Sequence, residues 1–289
     1  MIEAALSADH DLEVAETLRR GHAARVARAG AARGVDVVVV LGGDGTLSEA
    51  ADGLAGTRTA LAALPGGSTN VFARTIGVAD DPVDATGQLL GALERRTIRR
   101  VGLGRVDGRY FLFHCGIGFD AAVVARVERN ASALKRVAAH PMFAWAAVEV
   151  WLRHYDRRRP RFRVELPGGD GVEGIFAIVS NTSPYTYLGR RPITVAPEAD
   201  LASPLSVTVF RRPGTLTLLR LAAEALWAPR HLARSRQVSH HRDVTKARVS
   251  AWEADDPFPY QVDGDHLGEV TGLEITYEPD VLDLVVPPR

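Results

Sequence analysis

One cysteine in 289 residues, Cys115, leaves no partner for an internal disulfide and suits a reducing compartment. It sits in Phe111-Leu112-Phe113-His114-Cys115, a run that reads as a buried strand. Lysine is almost missing: beyond Lys135 and Lys246 every basic residue is arginine. Net charge is missing too, with Lys+Arg and Asp+Glu both at 35, so no bulk field argues for a nucleic-acid partner. No stretch approaches the ~20 apolar residues that span a bilayer. The longest candidate, Met142 to Leu152, is too short and contains Glu149. The start, Met1-Ile2-Glu3-Ala4-Ala5, is acidic and has no basic segment with an apolar core, so no secretory signal is expected. What remains is a soluble or at most peripheral protein, 46% hydrophobic, large enough for one big domain or two small ones.

Along the chain, residues 1–8 read as the tail of a helix and Leu12–Thr17 alternates like a short strand. A helix from about Leu18 to Arg33, stopped by Gly34, precedes a buried strand over 35–41. A helix from Thr46 to about Leu54, a strand at Ala60–Leu64 and helices at Val71–Ile76 and Pro82–Arg95 follow. Strands alternating with helices predict parallel βα units. After residue 97 the pattern turns to short strand-like runs, among them Ile98–Val106, Arg109–Cys115, Arg161–Leu166, Gly174–Ser180, Ile193–Ala196, Ser206–Arg211, Lys246–Trp252 and Phe258–Val262. Helical stretches near 120–155 and 215–232 interrupt them, and Val281–Val286 closes the chain. The expected domains are 1–97 (α/β), 98–275 (mainly antiparallel β) and a final strand in 276–289 that returns to the first domain.

The strand Val37-Val38-Val39-Val40-Leu41 runs straight into Gly42-Gly43-Asp44-Gly45-Thr46. Glycines here let backbone N–H groups approach phosphates without Cβ clashes, and a following helix adds partial positive charge. Asp44 repels phosphate, so its tasks are holding Mg²⁺ or taking a proton. Thr46 and Glu49 have the spacing of a capping box. One strand later, Pro65-Gly66-Gly67-Ser68-Thr69-Asn70 brings more donors to a neighbouring strand end, where open α/β sheets bind ligands. The third candidate is Gln261-Val262-Asp263-Gly264-Asp265. It reads either as an Asp-Gly hairpin turn or as the carboxylate that deprotonates a phosphoryl acceptor.

Four motifs occur in order: Gly42–Glu49, Leu64–Arg74, Gly116-Ile117-Gly118-Phe119-Asp120-Ala121 and Val262-Asp263-Gly264-Asp265. Together they resemble the diacylglycerol kinase catalytic-domain family, which includes bacterial lipid kinases and the sphingosine and ceramide kinases. The resemblance runs from about residue 12 to the end. It implies a Rossmann-like N-terminal domain, a C-terminal β-sandwich and an ATP cleft between them. It further implies ATP phosphates over Gly42, Gly43, Asp44, Gly45 and Thr46, with Glu49, Gly67, Ser68 and Asn70 on the nucleotide side and Mg²⁺ near Asp44. Asp265 falls where the family has a glutamate proposed as general base; Asp263 is the reserve, and Asp120 organises the site. The implied activity is ATP- and Mg²⁺-dependent phosphorylation of a lipid hydroxyl, diacylglycerol giving phosphatidic acid, in phospholipid biosynthesis at the inner membrane face. A sphingoid base or other polyol lipid is the alternative acceptor, and a non-catalytic nucleotide-binding relative the alternative class. A homodimer is compatible with all of these.

The departures are specific. Ser48 stands for the family's Asn and Val71 for an Asp. Leu201–Leu205 offers no carboxylate where many members bind a structural Mg²⁺. The family opens with a β-strand ending in Asn-Pro, which residues 1–11 are too few to supply, so the start is expected to be misassigned, with true truncation as the alternative. On the lipid side, the aromatic-rich helix Met142–Leu152 runs into the arginines of Arg153–Arg163. That pattern reads as an interfacial contact or as a helix packed on the sandwich with a solvated basic turn. The stretch Arg230–Arg242, with His231, His240 and His241, reads as a solvated segment with no metal spacing.

Overall fold

The computed structural model describes residues 1–134, 139–169 and 171–288, and its chain forms two compact units. The first comprises Met1–Leu103 with Pro279–Arg289, the second Gly104–Glu278. The boundaries expected at 97/98 and 275/276 therefore shift, because strands β3 (Ile98–Val106) and β16 (Gly272–Val285) each pass from one unit to the other mid-strand. No change of composition marks such a crossing.

In the first unit come α1 (Ile2–Leu6), α2 (His22–Ala32), β1 (Val37–Gly42), α3 (Asp44–Leu54), β2 (Ala60–Pro65), α4 (Val71–Thr75) and α5 (Pro82–Arg95). Strands β1 and β2 pair in parallel from Val37↔Ala60 to Gly42↔Pro65, and the end of β16 joins β2 in parallel at Leu284↔Leu61. Strand β2 is central and buried at every position, as its unbroken Ala/Leu sequence demands. Helix α5 starts where expected because the Asp81 side chain accepts the N–H groups of Val83 and Asp84, with Pro82 in the first turn. Its Ala85, Leu89 and Ala92 pack on Ala60, Ala62 and Leu64, and Leu6 and Val285 complete this core.

Two expectations fail here. Helix α2 begins at His22, four residues late, because Gly21 takes a left-handed conformation (φ 72°) at its N-cap. Leu12–Thr17 forms no strand. With Val38–Leu41 of β1 it lines a groove of about 950 Å³, and its Glu13 is tied to Arg33 at 2.6 Å.

The second unit is an antiparallel sandwich. After β4 (Arg109–Phe111), β5 (His114–Gly118), α6 (Phe119–Leu134), α7 (Ala139–Glu149) and a π-turn (Val150–His154) come β6 (Phe162–Glu165), β7 (Val172–Gly174) and β8 (Phe176–Ser180). Then follow β9 (Thr186–Leu188), β10 (Arg191–Ile193), β11 (Leu205–Phe210), α8 (Thr215–Trp227), α9 (Pro229–Leu232), β12 (Val238–Val244), β13 (Lys246–Ala251), β14 (Phe258–Val262) and β15 (Asp265–Val270). Residues 135–138 of the expected 120–155 helical stretch lie outside the described residues. One sheet has the order β12-β11-β8-β5-β14-β15, and β7, β6, β13 and the start of β16 form the other. Ile117, Val179, Val207 and Val262 of the first meet Val164, Val249 and Ile275 of the second in one core. Cys115 lies fully buried in it, and burial pushes its thiol pKa far up, so it is no nucleophile.

Strands β7, β9, β12 and β15 escape the sequence pattern, as does the first part of β16. Strand β12 lies in the stretch expected to be solvated. Its His240 bonds Thr208 through Nδ1 at 2.9 Å and Glu198 through Nε2, which hides the polar ring beneath the sheet edge. The charged run Asp265–Val270 is β15, and β16 runs on through Pro279, a residue that argues against a strand.

Candidate active site

In the first unit the two glycine loops lie against each other because parallel strands β1 and β2 end level, at Gly42 and Pro65. Gly66 N–H donates to the Gly42 carbonyl at 3.1 Å. The approach is backbone on backbone: a Cβ on Gly67 would stand 2.6 Å from the Gly43 Cα, and one on Gly66 2.8 Å from the Gly42 nitrogen. Side chains are excluded there by contact, not by turn conformation. Asn70, itself left-handed (φ 48°), closes the second loop through Gly67 N–H to Oδ1 at 2.8 Å and Nδ2 to the Gly67 carbonyl at 3.2 Å. Gly66, Gly67 and Ser68 are exposed, so the paired loops present backbone and one hydroxyl to solvent. Helix α3 begins beside them with Gly43 at its N-cap and no side-chain cap, leaving first-turn N–H groups available to an acceptor.

Asp44 ties the loops together. Its Oδ2 accepts the Val71 N–H at 2.9 Å and its Oδ1 the Phe72 N–H at 3.0 Å, at the start of α4. Phe72 is fully buried, which pins α4 in place, a burial worth about 1.5–3 kcal/mol. Burial raises the Asp44 carboxyl pKa above the ordinary value, against the pull of those two N–H groups and of its own backbone N–H. Both oxygens are thus partly committed to backbone. Among the described residues no three His, Cys, Asp or Glu side chains converge as a metal set. Asp44 retains lone pairs for one magnesium contact, so the donor set fits a magnesium that arrives with phosphate oxygens and water, not a protein cage.

Thr46 and Glu49 form no capping box, because α3 starts two residues early, at Asp44. Glu49 turns to α2 instead, accepting Gly21 N–H at 2.7 Å and Ala23 N–H at 3.2 Å, so it caps that helix. The Thr46 side chain packs under Gly42.

In the second unit Asp263-Gly264 is the two-residue turn of the β14–β15 hairpin, both residues at positive φ (49° and 86°). The turn aims the Asp263 carboxylate inward, where it accepts Leu112 N–H at 2.8 Å and Phe113 and His114 N–H at 3.0 Å. A buried carboxylate accepting three backbone donors clamps the Leu112–His114 segment, a structural duty beside the reserve-base reading of Asp263. Asp265 is reachable, with its Oδ2 held by Arg109 Nη2 at 2.8 Å. Arg109 was not foreseen; an arginine in a β-hairpin carries no signal of a partner 156 residues away.

Asp120 lies behind Asp263 in a buried network. Tyr185 donates to its Oδ1 at 2.6 Å and Gln261 Nε2 to its Oδ2 at 2.8 Å, while Gln261 Oε1 accepts Gly264 N–H at 2.7 Å. Burial raises the Asp120 carboxyl pKa and the two donors oppose it. The His114 ring packs 4.4 Å from that of Tyr185, its Nδ1 buried without a partner, and burial lowers its pKa to about 3. Tyr185 carries no motif signal. Gln261 did, as a buried polar residue inside the Asp263 motif.

Helix α7 buries Ala146, and the π-turn buries Val150 and Trp151. Three of the following arginines are structural: Arg157 donates to the Trp151 carbonyl, Arg159 bonds Glu253, and Arg161 bonds Asp256. Among the described residues no helix is long and apolar enough to cross a membrane.

With this geometry in place, comparison with known proteins is direct. Residues 1–106 match the model of the diacylglycerol kinase catalytic domain. A probable YegS-like lipid kinase of Pseudomonas aeruginosa is 37% identical over 138 residues, 47% of this chain and 43% of that protein. The diacylglycerol kinase of Bacillus subtilis is 32% identical over 114 residues, 38% of this chain and 36% of that one. The chain thus spans less than half the length of these curated relatives. A solved diacylglycerol kinase of Bacillus anthracis str. Sterne covers 99% of this chain and 88% of its own with a TM-score of 0.69 at 20% identity, which establishes the fold. The match to the diacylglycerol kinase catalytic domain thus covers the N-terminal 106 residues, and the curated lipid-kinase relatives align over less than half of the chain.

Proposed function

We propose that this protein is an ATP-dependent lipid kinase whose acceptor is diacylglycerol and whose product is phosphatidic acid. The observation that carries the reading is the backbone-on-backbone approach of Gly43 and Gly67, which leaves a side-chain-free ledge beside the uncapped start of α3. Such a ledge suits a polyphosphate, since N–H donors reach its oxygens without steric interference. Asp44 acts there as a positioning residue that holds the Val71 end of the second loop. The acceptor hydroxyl oxygen forms a bond to the γ-phosphorus as the bond to the β-phosphate bridging oxygen breaks, and ADP leaves. Asp265 takes the hydroxyl proton. A loose transition state asks little of a base, so a carboxylate already bonded to Arg109 is adequate. Magnesium carried on the nucleotide supplies charge neutralisation to the phosphates. The reaction belongs at the inner face of the cytoplasmic membrane, where the acceptor is held.

A nucleotide-binding relative without catalysis is the second reading. It is favoured by the engagement of both candidate bases, Asp263 by three N–H groups and Asp265 by Arg109. Transfer of labelled γ-phosphate from ATP in mixed micelles separates the two. Diacylglycerol, sphingosine and a total bacterial lipid extract are offered to the wild type and to Asp44→Ala and Asp265→Asn. Labelled phosphatidic acid that falls steeply in both variants supports the proposal. Label on sphingosine alone moves the acceptor to the sphingoid bases. ATP binding with no transfer to any lipid overturns the kinase reading.

A further inference from the structure

Helix α8 is apolar on two faces. Leu221 and Ala225 are buried against the six-stranded sheet, with Leu218 packed beside them. On the opposite side Leu216, Leu219 and Trp227 are 83%, 59% and 64% exposed. Their spacing of three and eleven residues puts them on one stripe along the helix. The only charges on α8 are Arg220, which borders this stripe, and Glu224, and the two pair at 3.6 Å. Trp151 Nε1 donates to Thr215 Oγ1 at 3.2 Å, which brings the exposed Leu152 of the π-turn to the start of α8. At the other end the Arg191 guanidinium lies over the Trp227 ring at 5.6 Å.

Charge decides what such a face meets. Between residues 211 and 242 there are seven arginines and one acidic residue, Glu224, in a chain whose overall net charge is zero. Arg211 and Arg212 immediately precede α8, Arg230 follows it, and Arg220 Nη2 donates to Ser235 Oγ at 3.2 Å, which holds Arg234 and Arg236 beside the helix. A second copy of this chain would bring the same arginines against themselves. An anionic lipid surface accepts both halves of the pattern, the leucines and tryptophan among the acyl chains and the arginines at the headgroups. We infer that the outer face of α8 is the docking surface of this protein on anionic membranes. The inference locates the membrane contact of the proposed lipid kinase and stands on its own observations if the acceptor proves different.

Co-sedimentation of the full chain with phosphatidylcholine vesicles, with and without 30% phosphatidylglycerol (about a third anionic, enough to attract basic segments), tests it. The wild type binds the anionic vesicles and releases on raising salt. Leu216→Ser/Leu219→Ser loses binding at unchanged thermal unfolding, since both side chains are already exposed. Arg211→Glu/Arg212→Glu weakens binding by at least about fivefold for each arginine lost. Phosphoryl transfer to a short-chain, water-soluble diacylglycerol is measured alongside. Variants that keep this transfer but lose vesicles separate docking from chemistry, and vesicle binding without any transfer leaves docking standing while the kinase reading falls. Wild type that ignores anionic vesicles, or a leucine variant that binds them as well as wild type, overturns the inference. So does a dimer in sedimentation that the leucine variant dissociates in the absence of any vesicle binding, which would give the face to a second copy.

Discussion

The Asp44 carboxylate accepts the Val71 backbone N–H at 2.9 Å across 27 residues of chain, so the first glycine loop holds the second through a single side chain. With the Phe72 N–H on its other oxygen, this makes Asp44 the pin that joins the two glycine loops.

Asp44→Ala leaves two helix-start N–H groups without their acceptor, at about 1–3 kcal/mol each before water restores part of it. Asp44→Asn keeps one carbonyl acceptor and loses roughly half as much. Amide exchange at Val71 and Phe72 accelerates in both variants, more in Ala, together with weaker ATP binding. Unchanged protection in Asp44→Ala would mean that the carboxylate serves chemistry alone.

Gly67→Ala places a Cβ 2.6 Å from the Gly43 Cα and 3.0 Å from the Asn70 Oδ1, and the nearer neighbour is backbone that cannot swing aside. The loops must part, so ATP affinity falls at least tenfold while the melting temperature moves little, the site lying on an exposed rim. Isothermal titration with ATP and a melting curve check both halves. Gly45→Ala, which meets nothing within 4 Å, is the control.

Asp263→Ala removes the acceptor of three buried N–H groups, those of Leu112, Phe113 and His114. Each costs about 1–3 kcal/mol, so the second unit loses several kcal/mol. Asp263→Asn suits the left-handed turn position (φ 49°) and keeps one acceptor, so it recovers part of the loss. Urea unfolding ranks wild type above Asn above Ala. An Ala variant of native stability but no activity would restore Asp263 as a catalytic base.

His114 links stability to pH. Burial holds its pKa at about 3, while in the unfolded chain the ring titrates near 6.5. Below 6.5 the unfolded state binds a proton that the folded state refuses. The stability from keeping the ring neutral is therefore complete above 6.5 and is lost as pH falls toward 3, by up to about 1.4 kcal/mol per pH unit. Asp120, whose carboxyl pKa burial raises, acts in the opposite sense, so the test compares two proteins. Between pH 7 and 5 the wild type loses up to about 2 kcal/mol more than His114→Phe. Equal losses would mean that the ring takes up its proton in the folded protein.

Sequence legibility followed the range of the forces involved. Helix α5 was readable to the residue, because Asp81 and Pro82 fix its start locally. The two glycine loops were readable for the same reason, since strand, glycines and helix follow each other directly. Strand β12 was not, because its histidines and arginines look solvated until His240 finds Glu198, 42 residues away. Leu12–Thr17 had the alternation of a strand, yet alternation describes faces and cannot supply a neighbouring edge.

The sequence by itself determined the parallel βα start, the antiparallel sandwich and the match of its first 106 residues to a diacylglycerol kinase catalytic domain, since periodicity, turn chemistry and motif order are local and cumulative. Only the tertiary structure decided what each carboxylate does. Asp44, Glu49, Asp263 and Asp265 look alike in the chain, but the first three spend their oxygens on backbone N–H groups and Asp265 on Arg109. A carboxylate takes its role from the donors packed around it, and packing brings those donors from distant parts of the chain.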